Sequence, residues 1–512
     1  MRPGYARRPA GAKALRPNFH FSAAQAVTDG TNLISLPDLI GGVSSLVVSA
    51  GVIAAPAPDA LFNGAPSIAF TGTQHVTSDA PVSFFTFMHD GSSCEIAHVL
   101  VNTAAAGNTR VVSSTNMGSA GQGHLMSHHT TNDTYVAVTD NAGTLIAQTL
   151  IATGVGKPGY PGVPYLFNWH GQKFYGNMQE NVQHVNALSQ TVLAGADPPY
   201  LGTAGPFRLG ARNSTAAGGP GSSFGQFRWC ETFIFSRILN AYEREQLRDY
   251  VQQTYGIDAH AFSFSNAERQ VLALDPYSWL RPDYVTIAAG KVTELKELSG
   301  SGGLWPQATT TRQIATPAPD AEFNNQPVGI FTGAAAQSYQ YSLPTFSWSN
   351  VISGLSGGEH WHVLAPTAAA AFTLHQVGGS ATTDPRYLHK LDLTTGGSLP
   401  VIGGNSGAVV APAGGSAVVL NAPTFVGMYY QKNRPGNEWA SYHKRTLLAS
   451  GNGLTAPGGN AGYPMMLGAS TTAGATPAAM RWAESIFFRK VLTDVDRQIW
   501  WDYLAQRYAM SA

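Results

Sequence analysis

At 512 residues the chain is too long for one ordinary core and calls for two or three domains. Its apolar share of 44% suits a globular protein, but charged residues make up only 12%, about half the usual ~25%, and thirty basic side chains balance thirty acidic ones. So neutral a surface gives little steering toward polyanions and argues against nucleic acid, and no apolar run approaches the roughly 18 residues of a membrane-spanning helix.

Residues 1–14 form a basic N-terminal arm carrying Arg2, Arg7, Arg8 and Lys13 and no acid. It reads either as a solvated tail or as an arm that anchors on a neighbouring subunit. It lacks the apolar core of a secretory signal, so synthesis in a host cytoplasm is expected. Beyond it, short apolar runs alternate with Gly, Pro, Asn and Ser. Residues 82–88 (VSFFTFM), 134–139 (TYVAVT), 164–170 (PYLFNWH) and 424–431 (TFVGMYYQ) read as strands. Strands at that spacing without alternating helices point to antiparallel sandwiches. Cys94 and Cys230 fit no metal spacing and read as isolated buried thiols in preference to a disulfide.

The halves repeat. Arg228 through Tyr255 aligns without a gap on Arg481 through Tyr508, with ten of 28 positions identical. Residues 56–63 (PAPDALFN) match 317–324 (PAPDAEFN), the Phe-Thr-Gly steps at 70–72 and 331–333 match, and Leu209-Gly210-Ala211 matches Leu467-Gly468-Ala469. Leu15 through Phe19 answers to Leu280 through Tyr284. The reading is therefore an arm (1–14), a first β-sandwich (15–258) and a second (259–512), a duplication and not a short-period solenoid. Each copy ends in a dense apolar strand and then a helix. Asn240 with Glu243, and Thr493 with Asp496, mark capped helix starts, Leu247, Tyr250 and Val251 share one helical face, and Gly256 supplies a stop.

The ending at 481–508, RWAESIFFRKVLTDVDRQIWWDYLAQRY, resembles the concanavalin A-like lectin/glucanase superfamily in its laminin-G-like branch. Residues 298–313 (LSGSGGLWPQATTTRQ) are similar to the Ser-Gly-x-Gly loop of that branch, whereas residues 36–48 of the first copy lack it. The resemblance implies an all-β jelly roll, a fold that serves lectins, glycosidases, adhesion modules and viral particle proteins alike.

Enzymes of that superfamily carry a Glu-x-Asp-x-x-Glu strand, which this chain does not contain, and a retaining glycosidase needs two carboxyls about 5–5.5 Å apart. Glu231 and Glu484, kept in both copies, read as framework carboxylates paired with a backbone amide or a basic neighbour. His124, His128 and His129 cluster, and His360 and His362 flank Trp361. Zinc would need a third or fourth ligand that the sequence does not place, so these read as ordinary histidines. Asn132, Asp133, Asp140 and Asn141 are the nearest approach to a calcium-binding crowd of oxygens, and otherwise no cofactor is expected. Trp305, Trp348, Trp361 and Trp439 have no counterpart Trp in the first copy; each reads as core packing in preference to a ligand or interface residue, and Trp305 and Trp439 are the best candidates for exposure.

These features fit a non-enzymatic structural protein of a virion, such as a bacteriophage capsid decoration, head-fibre or tail-associated protein. It would be present in many copies and contact other capsid or tail subunits. The alternative is a glycan-binding lectin module that meets a host-surface glycan.

Overall fold

The computed structural model describes residues 15–41, 44–88, 92–104, 109–113, 123–128, 133–139, 145–152, 161–174, 178–186, 188–194, 206–213, 220–260, 262–299, 304–307, 309–333, 337–340, 357–378, 386–392, 397–403, 418–431, 434–452, 465–468 and 477–510. The fold is all-β, with every paired strand antiparallel, and the chain divides into two compact units, Met1–Ser263 and Phe264–Ala512. Ile257 and Ala259 are buried with the helix of the first unit, which carries that unit past residue 258.

In the first unit one sheet runs Leu188–Ala194, Met178–Val185, Pro164–Phe174, Cys94–Asn102, Gln226–Phe235, Pro66–Thr71 and Ala57–Pro58, with Phe19–Ser22 also paired to Gln226–Phe235. The second sheet runs from Leu145–Ala152 through Asp133–Thr139, Gly123–His128, Thr109–Ser113, Arg208–Leu209, His75–Ser78, Ser45–Ala50 and Leu33–Pro37 to Val27–Thr28. Ile96, Leu100, Trp169 and Trp229 from the first sheet meet Leu36, Leu46, Val76 and Leu209 from the second in one core. Ala97, Val99, Phe233 and Phe235 point the other way, onto Leu247, Tyr250 and Val251 of helix α1 (Ala241–Tyr255). The central strands are thus covered on both faces, which is why Cys94–Asn102 is buried at all nine positions.

The second unit repeats the plan. Its first sheet runs Ala318–Asp320, Gln326–Thr332, Ala479–Phe488, Gly358–Pro366, Thr424–Tyr430, Trp439–His443 and Thr446–Gly451, and its opposing sheet runs Tyr339–Gln340, Met465–Leu467, Ala371–Gly378, Arg386–Asp392 and Gly397–Gly403. A short helix α2 (Asn266–Ala273) opens the unit and α3 (Asp494–Tyr508) closes it. Asn240, Ser265 and Thr493 each cap their helix in a reciprocal capping box, and Gly256 ends α1 at φ +68°.

Two sequence expectations are corrected. Residues 82–88 form a 3-10 helix, not a strand. After Pro81 the run turns with a three-residue period that buries Phe85 and Met88 and leaves Phe84 outside. The match of 15–19 with 280–284 fails in register. Phe19 faces Ile234 and Ser278 faces Phe487, so Phe21, not Leu15, is the counterpart of Leu280, and His20 is that of Trp279. Cys230 and Ala483 fall at β-bulges, where a simple alternation breaks. The bulge puts Trp229 and Thr232, three residues apart, on one face, so that the indole Nε1 donates to Thr232 Oγ1 at 2.8 Å, and Trp482 does the same to Ser485 Oγ at 2.8 Å.

Gly427, in the strand paired to Trp361, has no room for a side chain, because a Cβ would fall inside the Trp361 indole. Gly427→Ala should cost about 1–3 kcal/mol through overpacking. A urea titration is the check, and a Gly427→Ala/Trp361→Phe double variant should recover part of the loss.

Candidate metal centre

Strand Gly358–Pro366 presents alternate residues to two layers. Glu359 and Trp361 face α3. Glu359 accepts from Arg497 Nε and Nη2, both at 2.8 Å, from the Leu492 amide at 2.9 Å and from Trp361 Nε1 at 2.9 Å. His360 and His362 face the opposing sheet. There they meet His375 of Ala371–Gly378 and His389 of Arg386–Asp392, which stand directly opposite each other in the register. One ring nitrogen from each of the four lies within 4.8 Å of the others, and all four residues are at most 2% exposed.

The rings pair across the sandwich. His360 Nε2 sits 3.1 Å from His389 Nδ1, and His362 Nε2 sits 2.8 Å from His375 Nδ1. His362 Nδ1 lies 2.8 Å from Ser485 Oγ, the hydroxyl that already accepts from Trp482. With Nδ1 donating to that oxygen, the lone pair of His362 is left on Nε2, aimed at the cluster. The Phe487 ring packs against His360, His362 and His375. Burial first, and the neighbouring imidazoles second, hold His360, His362 and His375 well below the ordinary histidine range, and burial holds His389 down at about 3. Four neutral imidazoles therefore converge in a dry core, and neutral imidazole is the form that ligates metal.

Among the described residues the first unit keeps the relay without a histidine cluster. Trp229, Thr232 and His98 reproduce Trp482, Ser485 and His362, with His98 Nδ1 2.7 Å from Thr232 Oγ1. Ile96 occupies the place of His360. Leu209 pairs with Val112, which pairs with Met126, just as Leu467 pairs with His375, which pairs with His389. The register thus sets Val112 and Met126 at the positions of His375 and His389.

The expected site residues fall elsewhere. Trp305, Trp361 and Trp439 are 0, 0 and 5% exposed, so Trp305 and Trp439, the best candidates for exposure, are not exposed, and their rings serve the core. Trp305 Nε1 donates to Glu297 at 2.6 Å, and Trp439 lies over Gly451. Trp348 and the arm residues Arg2, Arg7, Arg8 and Lys13 lie outside the described residues, as do Asn132, Asp140, Asn141 and the side chain of Asp133. Glu231 and Glu484 are framework; Glu231 has a basic neighbour in His20, as expected, and both carboxylates add tyrosine partners that were not expected. Tyr250 and Tyr255 of α1 donate to Glu231, beside His20 at 2.6 Å, and Tyr503 and Tyr508 of α3 donate to Glu484, beside the Trp279 indole. Cys94 and Cys230 are both buried and are not bonded to each other. The ordinary reading of His360 and His362 missed His375 and His389, which enter from two other strands. The usable signal was that histidine, like tryptophan, is distributed unequally between otherwise matching strands.

No protein-family model matches the chain, and no curated protein matches it in sequence. Solved structures similar to it include the Ruminococcus gnavus IT-sialidase CBM40 bound to α2,3-sialyllactose, at 17% identity over 33% of this chain and 91% of that one, with a TM-score of 0.27. The mouse laminin α1 chain domains LG4-5 align at 10% identity over 79% and 84%, with a TM-score of 0.25. The receptor-binding domain of botulinum neurotoxin mosaic serotype C/D aligns at 8% identity over 91% and 96%, with a TM-score of 0.32.

Proposed function

We propose that the chain is a non-enzymatic binding protein built of two tandem lectin-like sandwiches, with a glycan as its ligand class. The observation that carries this reading is the fate of the carboxylates inside the sheets. Glu95 and Glu359 are clamped by Arg244 and Arg497, Glu231 and Glu484 by tyrosine pairs, and Glu297 by Ser278, Ser299, Trp305 and the Trp279 amide. A glycosidase needs its acid and nucleophile facing substrate, whereas these groups are buried and spent on joining strands to helices and loops. The sandwich with its C-terminal helix also accords with the concanavalin A-like resemblance of residues 481–508, which implies lectins among its members.

The test is a glycan array probed with the full chain, followed by competition with free sugar. Saturable, competed binding without turnover supports the proposal. Release of product from a bound glycan, or no binding to any glycan, overturns it.

The basic arm favours a second setting, a multi-copy component of a virus particle in which Arg2, Arg7, Arg8 and Lys13 dock on neighbouring subunits. Removal of residues 1–14 should then abolish particle attachment while both sandwiches stay folded, and normal attachment would count against that setting.

A further inference from the structure

We infer that His360, His362, His375 and His389 bind one late first-row transition ion, with zinc as the best fit, which cross-links the two sheets of the second sandwich. The donor set selects the ion. Four imidazole nitrogens suit zinc, copper, nickel or cobalt and are unsuited to calcium or magnesium, which take oxygen ligands. A tetrahedral zinc with Zn–N bonds of about 2.0–2.1 Å spaces its ligand nitrogens roughly 3.4 Å apart. The two hydrogen-bonded pairs stand at 3.1 and 2.8 Å, and all four nitrogens lie within 4.8 Å. Binding would open the two short pairs and draw in the longer separations by a few tenths of an ångström to about 1.4 Å toward that spacing.

The surroundings resemble a built site. A metal-binding histidine commonly donates its second nitrogen to an orienting acceptor, and Ser485 Oγ, itself held by Trp482, is placed to serve His362 in that way. All four protein ligands are present and buried, with no ligand position turned to solvent, which is the mark of a structural ion and not a hydrolytic one. The ligands come from three strands on two sheets, so one ion fastens both layers of the sandwich. The first unit supplies the comparison. With the same relay and register it carries Ile96, Val112 and Met126 at three of the positions and only His98 at the fourth. In register, three histidines of the second unit thus stand together where the first unit has Ile96, Val112 and Met126, as a ligand set requires.

The test uses the full chain, stripped with chelator, dialysed and offered Zn²⁺ or Co²⁺. About one equivalent should be retained, and Co²⁺ should give the visible absorption of a tetrahedral nitrogen site. With free Zn²⁺ at 100 times Kd, amide exchange in Gly358–Pro366 should slow about 100-fold. The variant His375→Val/His389→Met, which installs the residues found at these register positions in the first unit, should lose all three signals. Ser485→Ala keeps the four ligands and should weaken affinity by about 10–100-fold with the cobalt spectrum retained, a readout that stands even if the double variant fails to fold. Failure of the wild-type chain to retain either ion would reduce the tetrad to a hydrogen-bonded core network and overturn the proposal. Undiminished retention by a folded His375→Val/His389→Met variant would place the ion elsewhere and overturn it equally.

Discussion

Arg497→Ala is expected to destabilise the second unit by about 3–5 kcal/mol, because it leaves Glu359 as an uncompensated charge in the core. The guanidinium and the carboxylate are 3 and 0% exposed, and their two parallel hydrogen bonds tie α3 to the central strand. Burial already holds the Glu359 carboxyl above its ordinary value, and Arg497 is the main influence opposing that. Without the arginine, Glu359 should take up a proton. A carboxyl whose folded pKa lies above its unfolded value, near 4.5, is not penalised below that value, and stability is lost as pH rises through the folded pKa. The variant should therefore be closer to wild type near pH 4.5 than at pH 8. Urea titrations at the two pH values are the measurement, and an equal deficit at both would sink the account. Arg497→Met/Glu359→Leu should recover much of the loss, since a buried ion pair is replaceable by apolar groups of similar volume.

The second large effect is acid sensitivity of the first unit through His98. This imidazole is buried against Phe167 and Thr232, and burial holds it neutral down to about 3. The unfolded chain takes up the proton near 6.5. Its contribution is thus fully present above pH 6.5 and is lost as pH falls from there toward 3. At about 1.36 kcal/mol per pKa unit the full loss is on the order of 5 kcal/mol. His98→Leu should flatten the dependence of stability on pH between 6.5 and 4, read from exchange of the Cys94–Asn102 amides corrected for intrinsic rates. Identical slopes in variant and wild type would assign the acid sensitivity to other groups.

Both predictions turn on strands, Cys94–Asn102 and Gly358–Pro366, that are not among the apolar runs read from the sequence. Much of the architecture was readable there all the same. The gapless match of 228–255 with 481–508, the capping boxes at Asn240 and Thr493, and the stop at Gly256 announced a strand and helix at the end of each half, because capping and helical periodicity are local properties. The burial of Glu231 and Glu484 as framework was likewise foreseeable. Their tyrosine partners lie 19 and 24 residues ahead in each copy, and of these Tyr250 lies on the helical face read as apolar from the sequence.

Tertiary structure decided what local rules cannot reach. Residues 82–88 carry strand-like composition, yet Pro81 and the core space available give them a 3-10 turn. The register of Phe19–Ser22 and Ser278–Leu280 follows from which residues can reach the shared carboxylate, and it overrules a better-looking match of letters. The bulges at Cys230 and Ala483 shift the faces by one residue and so create the Trp–hydroxyl–His relay, which strict alternation would forbid. Gly, Pro and Asn around Trp305 and Trp439 made them the best candidates for exposure, but both rings fold inward, beside Glu297 and Gly451, as core packing requires. The histidine tetrad is the clearest case. His360 and His362 are visible as a spaced pair, while His375 and His389 join them only because hairpin register and sheet stacking bring three strands to one point. The sequence by itself determined which side chains are available and which local elements they build. Long-range pairing alone decided which of them meet, because a strand states its neighbours only through contacts that no local periodicity encodes.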